Sequence, residues 1–318
     1  MSQINSQLAL YTNSFGQKVF IPVIRYSRGN GSKIILTCLA HGDEVIGSMA
    51  ALQLLQKVKE NDNWQGELII LPCLNQAGME RMSRFFEADN LYDTSTQNLN
   101  RLFGANNPSL AGQAADTILN FIVNEKPNLA IDCHSYAIKS LVHIILDRPG
   151  GKQEQNLVEL ASNSNIPFYL EYEAQTVTQQ KLDFCLPNQL LIRGILAFTI
   201  ELGSQFGFDQ QELELATQAL SNLVLGTKHD LYLIQNANDL KGKIANRQEI
   251  KNQSNYCGLF IPLKPLGKNI KKGETIAQIY NLYGELVSTI TMPTDGIVLV
   301  WSKSNYTYPH STLAVIVV

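Results

Sequence analysis

An α/β sheet covered by helices on both sides, followed by a smaller all-β module, is the fold class this sequence predicts, and three observations carry it. Short apolar runs rich in strand formers recur along the first part of the chain. Segments with helical apolar periodicity separate them, the alternation expected of α/β layers. From about Asn236 the helical signal stops, and short strands punctuated by Gly258, Gly267, Gly273, Gly284 and Gly296 take over. The expected division is an α/β domain over residues 1–235 and a β module over residues 236–318.

A polar, turn-rich start runs to Arg28-Gly-Asn-Gly-Ser32. Residues 33–40 then read as a strand buried on both faces, because the run is short, continuous and apolar. A helix is expected from about Gly47, with Met49, Leu52, Leu55 and Val58 as its apolar stripe. Residues 67–74 read as a strand, 114–123 as a helix and 128–133 as a strand. Strands at 141–146, 166–170 and 195–200 continue the series, with a helix at 153–161 between the first two and another at 211–225 after the last. In the β module, Lys264-Pro-Leu-Gly267, Ile270 to Ile279 and Met292 to Val298 resemble the turns of lipoyl and biotinyl domains, the barrel-sandwich hybrid fold. Such carriers present a modifiable lysine at a hairpin tip. The matching stretch here is Thr291-Met-Pro-Thr294, so the module is expected to be structural or gating and not a covalent carrier.

Composition narrows the function. With 45% hydrophobic and 17% charged residues, the 318-residue chain can build a sizeable core, which excludes bulk disorder. The 25 Lys and Arg against 28 Asp and Glu leave a net charge of -3 without long single-sign runs, so nucleic acid is not an expected partner. Apolar runs fall far short of the roughly 20 residues of a membrane-spanning helix, and no membrane partner is expected. The N-terminus shows no basic stretch leading into an apolar one. The cysteines, Cys38, Cys73, Cys133, Cys185 and Cys257, are scattered without a Cys-x-x-Cys pair. A cytoplasmic protein with reduced thiols is expected, and a homo-oligomer is compatible with the sequence.

Several common machineries are missing from the sequence: a Gly-x-Ser-x-Gly elbow, a Walker A loop, and Gly-x-Gly-x-x-Gly between a strand and a helix. His41-Gly-Asp-Glu44 stands directly after the 33–40 strand, where open α/β sheets bind their ligands. A His and a Glu three apart in one loop can reach a single metal ion. Zinc hydrolases often use two His and one Glu, leaving one coordination position open. His134, directly after the strand at 128–133, offers the second imidazole. Glu201, at the end of the 195–200 strand, suits a general base if it faces the metal without ligating it. Taken alone, it could equally be a salt-bridge partner. Arg101, in Asn98-Leu-Asn-Arg101, suits carboxylate recognition, because its planar fork donates two parallel hydrogen bonds.

Taken in order, these residues resemble the succinylglutamate desuccinylase and aspartoacylase family of the zinc carboxypeptidase-like superfamily, and the likeness spans most of the chain. His41-Gly-Asp-Glu44 is similar to the family's His-Gly-x-Glu, whose His and Glu bind zinc, and His134 falls where its second His ligand is expected. Asn100-Arg101 resembles the end of the Asp-x-Asn-Arg segment that holds the substrate carboxylate. Arg84-Phe85 is similar to an upstream Arg-aromatic pair whose Arg polarises the scissile carbonyl. Glu201, in Thr199-Ile-Glu-Leu-Gly203, resembles the catalytic Thr-x-Glu-x-Gly. Departures are Asn98 for the usual Asp, Gln76 for a frequent Pro, the missing Pro-Gly after Phe103, and a longer link over residues 86–99.

The resemblance implies a zinc carboxypeptidase-like mixed sheet with a barrel-sandwich-hybrid-like module lying over the catalytic cleft. It implies one zinc per chain on His41, Glu44 and His134, with Glu201 as general base and Arg84 stabilising the oxyanion. Asn100 and Arg101 would hold a small carboxylate-bearing substrate, such as an N-acyl amino acid cleaved at an amide or ester bond. A metallocarboxypeptidase and a catalytically silent zinc-containing binding protein are the alternatives. Retention of Glu201 speaks against the second, since a pure binder needs no general base.

Overall fold

The computed structural model describes residues 2–13, 15–86, 97–171, 178, 181–205, 207–241, 246–302 and 304–318. The first part contains β1 (Ser2–Thr12), β2 (Lys18–Arg28), β3 (Lys33–Cys38), α1 (Ile46–Glu60), β4 (Gly66–Leu71), α2 (Gln76–Glu80), α3 (Leu110–Glu125), β5 (Leu129–His134) and β6 (Lys139–Ser140). It continues through β7 (Val142–Leu146), α4 (Gly151–Asn163), β8 (Phe168–Leu170), α5 (Leu186–Ile192), β9 (Ala197–Leu202), α6 (Gln210–Leu225) and α7 (Leu231–Ile234). Short strands complete the chain: β10 (Arg247–Lys251), β11 (Gly258–Pro262), β12 (Asn269–Ile270), β13 (Thr275–Tyr280), β14 (Leu286–Thr291), β15 (Gly296–Trp301), β16 (Tyr306–Thr307) and β17 (Thr312–Val317).

Eight strands form one mixed sheet in the order β1-β2-β4-β3-β5-β9-β7-β8. The inner run β4-β3-β5-β9 is parallel, while β2 and β7 join it antiparallel. Successive side chains of its strands enter opposite cores, as pleating requires. Ile34, Leu36 and Cys38 pack with α1, α4 and α6 on one face, and Ile35 with Ile69 packs against α3 and α5 on the other. Burial on both faces explains why 33–38, 66–71 and 129–134 read as continuous apolar runs.

Two expectations are corrected. The polar start is an antiparallel β1–β2 hairpin. Residues 2–7 form a sheet edge exposed on both sides, so they carry no apolar alternation for periodicity to detect. The helix after residue 45 is present and Leu55 and Val58 are buried as expected, but Met49 and Leu52 are 41% and 37% exposed, and Ala50, Ala51 and Leu54 are buried in their place. A strict interval of three drifts off one face of a 3.6-residue helix, whereas mixed steps of three and four stay on it.

Two antiparallel sheets follow. One has β17 and β15 flanked by β10 and β12, and the other runs β14-β13-β11-β16. Phe260, Ile276, Ile279, Val298, Leu313 and Ile316 share a core with Leu141, Tyr169 and Tyr232 from the preceding part. β6 pairs with β15, so a strand from before residue 236 extends one of these sheets. Met292, in the stretch without a lysine, is buried. Among the described residues, no helix is long and apolar enough to cross a membrane.

Four charges tie β2, β3 and β4 to α3. Arg25 donates to Glu125 at 2.5 and 3.1 Å and also to Glu67, while Lys33 Nζ lies 3.0 Å from Glu125 and 3.2 Å from Glu67. Burial alone would raise the Glu125 carboxyl, but hydrogen bonds from Arg25 and Lys33 hold it below its ordinary value. We predict that Glu125→Gln costs about 1–3 kcal/mol at neutral pH. A depressed carboxyl stabilises above its unfolded pKa of about 4.3, and that stabilisation is lost as pH falls through the folded value. Melting curves of parent and variant should converge as pH falls below the folded value, and a gap that does not shrink on acidification would contradict the assignment.

Candidate metal centre

Three of the parallel strands deliver the site. β3 ends at Cys38, and Leu39, at φ 56°, turns the chain so that His41 and Glu44 stand ahead of α1. The Glu44 N–H closes this turn by donating to the His41 carbonyl at 3.2 Å. Gly42 makes the turn fit, since a Cβ there would meet the carbonyl carbon of Gly78 at 2.1 Å. The loop therefore lies directly on the backbone of α2, an approach only glycine permits. β5 ends at His134, and Glu201 of β9 stands register-opposite to it.

One ligand atom from each of His41, Glu44 and His134 lies within 4.8 Å of the others, and all three side chains are buried. Two imidazoles and one carboxylate are a donor set that could hold a metal ion. Burial, with Arg84 and His134 nearby, keeps the His41 imidazole well below its ordinary pKa and therefore neutral, as a ligand must be. Burial also opposes charge on His134, yet the carboxylates of Asp132 and Glu44 prevail and hold its pKa well above the ordinary value. His134 Nε2 lies 2.9 Å from Asp132 Oδ2, and Nδ1 lies 2.8 Å from Glu44 Oε2. A divalent cation can replace the second of these protons and leave the first in place.

Glu201 has the complementary property. It is 9% exposed, and its Oε2 has no hydrogen-bond partner among the described residues. Burial and the charge of Glu44 push its carboxyl up to about 7, against the pull of His134, Arg84 and Arg247. A cation at the triad would favour its ionised form. Such an orphaned oxygen beside a His-Glu-His donor set fits a proton acceptor outside the metal's own ligands.

All seven residues singled out by sequence line one polar cavity of about 240 Å³. Arg84 donates to Glu44 Oε1 at 2.8 Å, so its charge is anchored on a candidate ligand. Asn100 Nδ2 lies 3.4 Å from His134 Nε2, and its Oδ1 accepts from the Leu186 N–H at 3.3 Å. Arg101 donates to the Asn100 carbonyl at 2.6 Å and to Cys185 Sγ at 3.1 Å, leaving the rest of its fork for a ligand. A larger cavity of about 570 Å³, lined by Leu141, Phe260 and Trp301, contains none of the seven.

Sequence reasoning missed several neighbours. Asp132 accepts from Thr37 Oγ1 at 2.7 Å and from His134, which fixes the imidazole from behind. Its position two residues before His134 on one strand puts it on the same face, a signal present in the sequence. Cys185 braces Arg101, while Arg247 and Glu249 of β10 reach the cavity wall from the far end of the chain. No local pattern announces those contacts. Residues 87–96 of the long link lie outside the described residues.

The profile of the succinylglutamate desuccinylase/aspartoacylase catalytic domain matches residues 30–226. The chain belongs to this family. It is 24% identical over 278 residues to an N-alpha-acetyl-L-2,4-diaminobutyric acid deacetylase of Halomonas elongata, covering 83% of this chain and 75% of that one. A succinylglutamate desuccinylase from Silicibacter sp. superimposes with a TM-score of 0.76 at 19% identity, over 99% of this chain and 94% of that one. The product-bound ectoine utilization protein EutE of Ruegeria pomeroyi gives 0.75 at 20% identity, over 99% and 95%. These structural likenesses speak to a shared fold.

Two departures from the family pattern are locally equivalent. Asn98 Oδ1 accepts from the Asn100 N–H at 3.1 Å and caps the turn Leu99–Arg101 as an Asp would. Gln76 opens α2 behind the Asn75 cap, a position where Pro and Gln both serve. Asp132→Asn should keep the fold but weaken metal binding by about 10- to 100-fold, read by competition with a chelator of known affinity. Unchanged affinity would remove Asp132 from the centre.

Proposed function

We propose that this family member is a zinc-dependent deacylase that hydrolyses the acyl bond, an amide or an ester, of a small carboxylate-bearing molecule such as an N-acyl amino acid. The observation that carries this reading is the convergence, in one cavity, of the His41-Glu44-His134 donor set, the orphaned Glu201 oxygen and the fork of Arg101. The printed activity of the Halomonas relative, deacetylation of an acetylated amino acid, supports it. Five free cysteines support work in a reducing, cytoplasmic compartment.

His41, Glu44 and His134 would hold one zinc ion, and zinc there would supply the Lewis acidity that activates water and polarises the acyl oxygen. Glu201 takes the proton of the attacking water and passes it to the leaving nitrogen or oxygen, so one carboxylate serves as base and then acid. Arg84, held by Glu44, offers charge to the oxygen that becomes negative as water adds. Asn100 and Arg101 fix the substrate carboxylate, and Cys185 keeps Arg101 in its place.

The metallocarboxypeptidase alternative is disfavoured by size. The cavity, at about 240 Å³, lies below the roughly 300–1,000 Å³ of pockets for drug-sized ligands. Residues 236–318 contribute to that restriction through Arg247 and Glu249, which line it. We therefore read 1–235 as the catalytic unit and 236–318 as the part that narrows its entrance.

Glu201→Gln is the discriminating variant. It should bind zinc with unchanged stoichiometry and lose at least about 100-fold in turnover on N-acyl amino acids. Full activity would assign the base elsewhere, and loss of zinc would make Glu201 a ligand. Arg101→Lys should act mainly on KM, because a point charge replaces a bidentate fork. Equal kinetics on a substrate and its carboxamide would sink that role.

A further inference from the structure

The cavity that contains the proposed reaction centre is also lined by a carboxylate that the reaction does not use. Glu201 and Thr199 both line it, two residues apart on β9, and Ile145 of β7 stands register-opposite Thr199. Asp147 lies two residues beyond Ile145. At roughly 3.3 Å per residue, it stands on the order of 13 Å along the sheet from Glu201. The metal donor set and Asp147 line the same cavity, as do Cys185 and Arg101.

Asp147 is 7% exposed. Its Oδ1 accepts one hydrogen bond, from Asn188 Nδ2 at 2.9 Å, and its Oδ2 has no donor among the described residues. The neighbouring cation is already engaged, as Arg247 lies 3.1 Å from Glu171 and 2.9 Å from Glu249. Among the described residues, Asp147 therefore has no ion-pair partner. Burial and the charge of Glu171 push its carboxyl up to about 7, as expected of an acid group that lacks one. A buried carboxylate facing a cavity with one neutral donor is costly unless something cationic arrives. Glu201, which lines the same cavity, also has an oxygen with no hydrogen-bond partner among the described residues.

We infer that Asp147 is a specificity-determining residue that receives a cationic group of the substrate, so that the molecule recognised carries both a carboxylate, for Arg101, and an ammonium, for Asp147. This rests on the deacylase reading and narrows it to N-acylated diamino acids. Neutral side chains of equal length leave Asp147 unpaired, and anionic ones oppose it. The selectivity resides in the charge and reach of the substrate's side chain.

Calorimetric titration of free amino acids into the zinc-loaded protein tests this without needing turnover. The probes are isosteric pairs: L-2,4-diaminobutyrate against L-norvaline, L-ornithine against L-norleucine, and L-lysine against L-2-aminoheptanoate. At least one diamino acid should bind 10-fold or more tightly than its apolar partner, and Asp147→Asn should remove that gap while leaving the apolar partner's affinity and the zinc content unchanged. Equal binding within every pair, binding of none, or a gap that survives Asp147→Asn overturns the inference. The comparison within the parent protein stands even if the variant folds poorly. Equal cleavage of the Nα-acetyl derivatives within every one of these pairs overturns it too, and leaves the deacylase reading standing. Selective diamino acid binding with no cleavage of any acyl derivative retains the Asp147 assignment and overturns the deacylase reading.

Discussion

His134 stands between two carboxylates, Asp132 behind it and Glu44 in front, with all three side chains out of water. Removing such groups from solvent is expensive, and it is tolerated only where charge and hydrogen bonds are balanced locally. Thr37 satisfies Asp132, Arg84 and the Ser135 N–H satisfy Glu44, and the imidazole joins the two acids. That arrangement requires β3 and β5 to be adjacent and parallel, because Thr37 and Asp132 are register partners on them. The order of the central strands and the glycine contact that seats the His41 loop on α2 together bring His41, Glu44 and His134 to one place, as a donor set that could hold a cation.

In the proposed reading, the same geometry separates reaction from recognition. The donor set and Glu201 lie where β3, β5 and β9 end, and the same cavity is lined by Thr199 of β9, Ile145 of β7, Asp147 and Glu171. Antiparallel β7 makes this possible. Its direction carries residues after 146 away from the donor set, so a second polar group can stand at a distance set by strand length. The β sheets after residue 246 contribute Arg247 to the wall, where it pairs with Glu171 and Glu249, and among the described residues Asp147 has no ion-pair partner. On that reading, recognition involves parts of the chain outside the donor set.

Much of this was legible in the sequence. Strands buried on both faces announce themselves as continuous apolar runs, and polar residues that end such runs stand out, which is how His41, His134 and Glu201 could be named. The β1–β2 hairpin was invisible for the converse reason: an edge exposed on both sides buries too little to shape its sequence. Helix α1 was placed, but its buried face was misjudged, since alanines at 50 and 51 pack as well as the larger Met49 and Leu52 that face solvent. Asp132 could have been found from strand periodicity. Cys185, Asp147 and Arg247 could not, because each meets the cavity through a tertiary contact between segments far apart in the chain.

The central claim is that nitrogen and oxygen donors from His41, Glu44 and His134, and no cysteine, hold the metal. X-ray absorption at the zinc edge of the loaded protein tests it most directly, because Zn–N and Zn–O distances of about 2.0–2.2 Å are resolved from Zn–S at about 2.3 Å. The account predicts a shell of light atoms only, with the outer-shell scattering of two imidazole rings. A sulfur scatterer, or the signature of a single imidazole, would contradict it.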